Sequence, residues 1–139
     1  MRVRLIAAGT RLPDWVNAGY AEYARRLVGF RLELVEIPAR RRMLEIVGPR
    51  DYVVALELTG RAMTTAELAR WLETRLASGR DLALVIGGPD GLEPELLKRA
   101  DFRWSLSPLT WPHGLVRVML AEQLYRAQSI LKGHPYPRG

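Results

Sequence analysis

A chain of 139 residues, 48% hydrophobic and 26% charged, is long enough to bury a sizeable core and is expected to form one domain, 1–139. It contains no cysteine, which removes disulfides, thiolate nucleophiles and cysteine zinc sites, and His113 and His134 stand too far apart to make a metal set, so no metal is expected. The formal charge of +6 favours a polyanionic partner, whereas no apolar run nears the ~20 residues of a bilayer span and no signal-type start is present. A cytoplasmic protein without a membrane partner is expected.

Val3–Ala8 reads as an opening strand ended by Gly9, and after Pro13 the apolar set Val16, Tyr20, Tyr23 and Leu27 falls at helical spacing. Leu32–Ile37 is a second strand stopped by Pro38. Arg40, Arg41 and Arg42 follow in a polar connection toward Pro49, where Met43, Leu44, Ile46 and Val47 suffice for at most a brief helix. The triplet reads as a solvated face. Residues 52–58 form the next β-rich run, ending at Thr59 and Gly60. Thr64 and Glu67 make a capping box for a helix whose stripe is Leu68, Trp71, Leu72 and Leu76, with Gly79 as its terminator. Leu82–Ile86 is a buried strand that empties into Gly87, Gly88, Pro89, Asp90 and Gly91. A short helix around Pro94–Arg99, a compact strand at 104–106 and a long amphipathic helix through Leu120, Ala121, Leu124, Ala127 and Leu131 complete the chain, with Arg117, Glu122, Gln123 and Arg126 on the last helix's other faces. This alternation predicts an α/β fold with a doubly wound, mainly parallel sheet.

Three loops of similar character end strands: 56–60, 87–91 and 107–114. Together they are placed to line one crevice beyond the carboxyl ends of the strands, where open α/β sheets bind small molecules. Pro108 and Pro112 stiffen the third, and its residues are mostly uncharged, which suits an adenine-like group. Neither G-x-x-x-x-G-K-[ST] nor G-x-G-x-x-G with a ribose-binding acid is present, so nucleotide hydrolysis and hydride transfer are disfavoured. No G-x-S-x-G elbow occurs, and Ser105, Ser107, His113 and Asp90 have no triad spacing. Glu93 and Glu95 most simply decorate a helix start. The missing machinery points to a cofactor with its own reactive group, of which S-adenosylmethionine, with its sulfonium-activated methyl, is one.

Several stretches together carry a family resemblance: residues 1–10 with Pro13, Asp14, Trp15 and Val16; residues 84–91; Trp104, Ser105, Leu106 and Ser107 with Leu109 and Thr110; Pro112 and His113; Leu115, Val116, Arg117 and Val118; residues 121–127; and His134, Pro135 and Tyr136. In this ordered set the chain closely resembles the ribosomal RNA large subunit methyltransferase H family, of the SPOUT class of knotted methyltransferases. The resemblance spans nearly the whole sequence. It implies a carboxyl-terminal trefoil knot and S-adenosylmethionine-dependent methylation of N3 of pseudouridine 1915 in 23S rRNA, on the assembled ribosome, by a homodimer formed through the final helix. It also implies that Leu56, Gly87, Leu106, Ser107, Pro108, Leu109, Thr110 and Trp111 contact the cofactor. Two features depart from the family's pattern: the 38–52 connection is short, and Pro137 stands where the family usually carries histidine.

N3 of pseudouridine bears an imide proton, so methyl transfer needs proton removal or a stabilised anion together with in-line positioning. The tail supplies the candidate catalytic residues His134, Tyr136 and Arg138: Tyr136 and Arg138 to hold the ring or its phosphate, and His134 either to accept the proton or simply to shape a turn beside Pro135. His113, between Pro112 and Gly114, reads as a loop-shaping residue. Arg117, Arg126, Lys132 and Arg138 form a basic set expected to face RNA. Two alternatives stay open: a SPOUT methyltransferase with another RNA target, and an inactive ribosome-binding module.

Overall fold

The computed structural model describes residues 1–107 and 109–136, apart from the side chain of His113. Its strands are β1 (Val3–Ala8), β2 (Leu32–Ile37), β3 (Tyr52–Ala62), β4 (Leu82–Ile86) and β5 (Phe102–Ser105). Its helices are α1 (Asp14–Ala24), α2 (Thr65–Ser78), α3 (Pro94–Arg99) and α4 (His113–Leu131). The strands make one sheet in the order β2-β1-β4-β3-β5, and every neighbouring pair is parallel.

Alternation along each strand divides the core in two. Val3, Leu5 and Ala7 of β1 with Leu82, Leu84 and Ile86 of β4 face Tyr20 of α1, Leu68 and Leu72 of α2, and Leu120 and Leu124 of α4. Ile6, Ala8, Ala83 and Val85 face Met43 and Leu96 on the opposite side. With both faces covered, all five residues of β4 are buried, which is why its sequence is an uninterrupted apolar run.

The connections explain the winding. The steps from β1 to β2 through α1 and from β3 to β4 through α2 run one way across the sheet, and both helices lie on the first face. The steps from β2 to β3 and from β4 to β5 run the other way, through a single 3-10 turn (Met43–Glu45) and α3 on the second face. Opposite directions on opposite faces are what right-handed crossovers demand. The reversal falls between β1 and β4.

Arginine holds the short 38–51 connection in place. Arg4 pairs with the buried Asp51 at 2.6 Å, Arg99 donates to the carbonyls of Gly48 and Asp51, and Arg80 donates to those of Arg50 and Asp51. These guanidiniums satisfy carbonyls that a helix would have satisfied internally.

The local signals hold: Thr64 and Glu67 form the reciprocal capping box, and Gly79 closes α2 at φ +67. Four expectations require correction. β3 does not stop at Gly60 but runs to Ala62, because after a bulge Arg61 and Ala62 pair with Trp104 and Ser105. β5 begins two residues earlier than expected, at Phe102. α4 begins at His113, so His113 and Gly114 belong to the helix and not to the preceding loop. Arg117 does not face solvent: it is 1% exposed, paired with Glu36 at 2.5 Å and donating to the Gly9 carbonyl at 2.9 Å.

Candidate active site

The loop after β4 folds back on itself, the Gly91 amide donating to the Gly88 carbonyl at 2.9 Å with Gly91 at φ +78. A Cβ on Gly87 would lie 2.5 Å from the Gly91 carbonyl carbon and oxygen, so no other residue fits this return. The return forms one wall of a cavity of about 610 Å³ at the carboxyl ends of β3, β4 and β5. Its size and mainly apolar lining are those of a small-molecule site.

Seven of the eight expected cofactor contacts line this one cavity: Leu56 from β3, Gly87 after β4, and Leu106, Ser107, Leu109, Thr110 and Trp111 from the loop before α4. The eighth, Pro108, lies outside the described residues. The loop has internal ties: the Ser105 hydroxyl donates to the Ser107 carbonyl at 3.0 Å, and the Ser107 hydroxyl accepts from the Leu109 amide at 3.0 Å. Val116, on the first turns of α4, closes the lining.

Two polar atoms here are buried without a hydrogen-bond partner among the described residues, the Trp111 indole Nε1 and the Glu57 Oε2. A buried donor left orphaned costs free energy unless a ligand completes it. Glu57 accepts from the Thr59 hydroxyl through Oε1 at 2.5 Å, while Oε2 stands 3.8 Å from Arg103, an ion pair too long to be a hydrogen bond. An indole N–H donor, a carboxylate acceptor and a glycine-lined wall fit an adenosyl group, with its ring acceptors and ribose hydroxyls. Sequence reasoning missed Glu57; the available signal was an acid directly after Leu56, where β3 reaches the crevice.

His134 and Tyr136 lie elsewhere. α4 is roughly 28 Å long, with the cavity at its first turns. At its far end the His134 amide donates to the Ser129 carbonyl at 2.9 Å, and His134 Nδ1 accepts from the Tyr136 amide at 3.1 Å. Tyr136 then turns back, its hydroxyl donating to Glu122 at 2.8 Å and its ring lying 4.5 Å from that of Tyr125. Arg126 pairs with the same carboxylate at 2.9 Å and stacks over the Tyr136 ring. Burial, and then the adjacent carboxylate, push the Tyr136 hydroxyl's pKa well above the ordinary tyrosine value. His134 and Tyr136 are thus brought together on α4, not into the cavity of their own chain; Arg138 lies outside the described residues. Lys132 is exposed near the end of α4.

A parallel α/β sheet with a backbone-lined cavity at its carboxyl edge is the architecture of the SPOUT methyltransferases. Two solved structures share the fold. A probable methylase family protein from Haemophilus influenzae aligns over 94% of this chain and 68% of its own, with a TM-score of 0.63 at 15% identity. The SpoU methyltransferase AviRb from Streptomyces viridochromogenes, solved in complex with AdoMet, aligns over 91% of this chain and 58% of its own, with a TM-score of 0.52 at 12% identity. At such identities the likeness shows the fold alone. The family model described as "Predicted SPOUT methyltransferase" matches residues 1–137. Proteins named ribosomal RNA large subunit methyltransferase H, from Alkalilimnicola ehrlichii and Thioalkalivibrio sulfidiphilus, are 56% and 54% identical over 99% of both chains. The chain belongs to this methyltransferase family. Each of those alignments runs over 155 positions against 139 residues here, so the relatives carry segments that this chain lacks.

Proposed function

We propose that this chain methylates N3 of pseudouridine 1915 in 23S rRNA, using S-adenosylmethionine, as a cytoplasmic homodimer acting on the assembled ribosome. In this reading residues 1–139 form one domain with a carboxyl-terminal trefoil knot. The observation that supports it most is the convergence of Leu56, Gly87, Leu106, Ser107, Leu109, Thr110 and Trp111 on one cavity that holds two buried polar atoms without a partner among the described residues.

When bound, S-adenosylmethionine supplies a methyl group activated by its sulfonium. The chain's own part is to hold and orient. The Trp111 indole would donate to a ring acceptor, Glu57 would accept from a hydroxyl, and the glycine loop would admit close backbone approach. The side chains of Leu56 and Leu106 give this wall its apolar character.

Because His134 and Tyr136 do not line their own chain's cavity, we assign the tail to the cavity of a second copy, across a dimer built on α4. There Tyr136 and Arg138 hold the acceptor ring or its phosphate. His134 accepts the N3 proton once the 134–136 turn opens, since Nδ1 is engaged by the Tyr136 amide while the turn is closed. A second reading, methylation of another RNA position, draws on the segments this chain lacks relative to its relatives.

Transfer of labelled methyl groups to ribosomes, with and without prior pseudouridylation, followed by mapping of the labelled nucleotide, tests the reading. Label at one pseudouridine, absent from unpseudouridylated ribosomes, is expected. Label elsewhere selects the second reading, and no label on either substrate refutes both.

A further inference from the structure

A second, smaller cavity of about 160 Å³ lies on the far side of the glycine loop. Ala8 at the end of β1, residues 39–43 after β2, and Gly87, Gly88, Gly91, Leu92 and Glu93 after β4 line it. It sits over the boundary between β1 and β4, where the winding reverses, and that is where chain connections part and leave a crevice in sheets of this kind. The loop is thus shared: one side faces the larger cavity, the other this one.

The charge of this cavity is lopsided. Three of its lining residues are Arg40, Arg41 and Arg42, and its one carboxylate is Glu93. Glu93 is already engaged, accepting from the Leu44 amide at 3.1 Å and from Arg42 at 3.2 Å. Those donors hold its pKa below the ordinary carboxylate value despite the opposing effect of burial. Arg42 is equally spoken for. The guanidiniums of Arg40 and Arg41 have neither hydrogen bond nor ion pair among the described residues, whereas Arg80 and Arg99, at the other edge of the sheet, are committed to carbonyls. Both are carried on a turn closed by the Arg41 amide donating to the Pro38 carbonyl at 2.9 Å, so they project from a fixed base. The 38–51 connection, reduced to one 3-10 turn, leaves them beside the glycine loop with no helix interposed.

Two unpaired guanidiniums on the rim of a small concavity suit a phosphodiester, whose oxygens match the guanidinium fork. Resting on the function proposed above, we infer that Arg40 and Arg41 hold a backbone phosphate of the substrate RNA beside the target nucleotide, with the loop 87–91 as the partition between that phosphate and the methyl donor. The arginine triplet is then a positioning element for RNA, not the solvated face that its sequence suggests. Arg40 and Arg41 set where the strand crosses the carboxyl edge of the sheet.

The test is binding of the full-length protein to unmethylated ribosomes across a salt series, for the wild type, Arg40→Ala/Arg41→Ala and Arg40→Lys/Arg41→Lys. S-adenosylmethionine affinity is measured alongside by calorimetry, and melting temperature verifies folding. The alanine pair is expected to weaken ribosome binding about tenfold and to reduce the slope of log affinity against log salt by about 0.7 to 0.9, as the loss of one neutralised phosphate requires. Cofactor affinity stays at the wild-type value, and the lysine pair keeps most of the slope. Inorganic phosphate serves as a separate probe of the alanine pair: loss of phosphate binding with unchanged ribosome binding marks a free-anion site and overturns the inference. Unchanged affinity and slope for ribosomes in the alanine pair overturn it as well. If the wild type transfers no methyl group but its ribosome binding still depends on the two arginines, the phosphate site stands and the methyltransferase reading falls.

Discussion

Tyr136 donates its hydroxyl to Glu122 across fourteen residues of chain, at 2.8 Å, and this bond pins the tail to the helix that precedes it. The same carboxylate accepts from Arg126, so one acid organises a base, a phenol and the Tyr125 ring stacked beside them. The tail therefore has a built docking place on its own chain, which any role at a second copy's cavity must either keep or exchange.

The bond predicts an alkaline signature. Burial and the carboxylate both disfavour the phenolate, so the Tyr136 pKa is raised above the unfolded value of about 10. A raised folded pKa means that the contact's stabilisation is complete below about pH 10 and is lost only above it, so neutral pH changes leave it intact. Tyr136→Phe should lower stability by about 1 kcal/mol. Subtracting the variant's phenolate absorbance titration from that of the wild type should isolate a step above the ordinary tyrosine range. Glu122→Gln should move that step down without abolishing its displacement, because burial is the larger cause. A difference step at the ordinary value would show that the tail does not dock this way in solution.

Two glycines should separate pocket function from sheet stability. A Cβ on Gly60 would lie 2.7 Å from the Arg103 carbonyl carbon and 2.8 Å from the Trp104 amide nitrogen, between β3 and β5. Gly60→Ala must push two strands apart and should cost roughly 1–3 kcal/mol in urea unfolding. Gly87→Ala instead forces open the return of the 87–91 loop, which has solvent to move into. Its chief effect should be a loss of about tenfold or more in S-adenosylmethionine affinity by calorimetry, equivalent to about 1.4 kcal/mol. Wild-type affinity in Gly87→Ala would mean that this wall does not contact the cofactor.

What could be read from the sequence follows the range over which each feature is decided. The capping box of Thr64 and Glu67, the stop at Gly79 and the apolar run of β4 are settled by residues within a turn or a strand of one another, and all are as expected. The continuation of β3 past Gly60 is settled by Trp104 and Ser105, more than forty residues on, and glycine followed by arginine reads locally as an ending. Arg117 shows the same limit: helical spacing puts it off the apolar stripe, yet Glu36 and the Gly9 carbonyl, 81 and 108 residues away, make that position a buried one. At the site, glycine and proline mark the loops that form the cavity. Glu57 and the separation of Arg40 and Arg41 from Arg42 emerge only when the partners of each charge are known.

Arg117 should be among the costliest single positions in the chain. Its guanidinium is buried against a half-exposed Glu36 and a backbone carbonyl, and its Nε has no partner among the described residues. Removing Glu36 strands a buried cation, whereas removing Arg117 leaves a carboxylate that water can still reach, together with a hole in α4's packing. Arg117→Ala should destabilise by about 3 kcal/mol or more. Arg117→Met, which fills the space without a charge, should recover part of that loss, as replacements of buried ion pairs commonly do. Equal losses in the alanine and methionine variants would show that the charge and its two acceptors, and not the volume, matter here.

Tyr20 offers the clearest test of a buried ionisable group. It lies on the buried face of α1, its hydroxyl donating to the Leu32 carbonyl at 3.3 Å. Burial raises its pKa to about 12, although Arg117 and Arg31 pull it down. The unfolded chain releases the Tyr20 proton near pH 10 and the folded chain near 12, so between those values the unfolded state binds fewer protons. Stability must then fall as pH rises through this window, by up to about 1.4 kcal/mol per pH unit from this residue. Because Tyr136 also titrates late, the measurement belongs in Tyr136→Phe, with Tyr20→Phe added for comparison. Urea midpoints should drop steeply from pH 10 to 12 in the single variant and more gently in the double one. Parallel curves would mean that the hydroxyl at position 20 reaches water before the protein unfolds, and that the packing of α1 over β2 is looser than its buried contacts require.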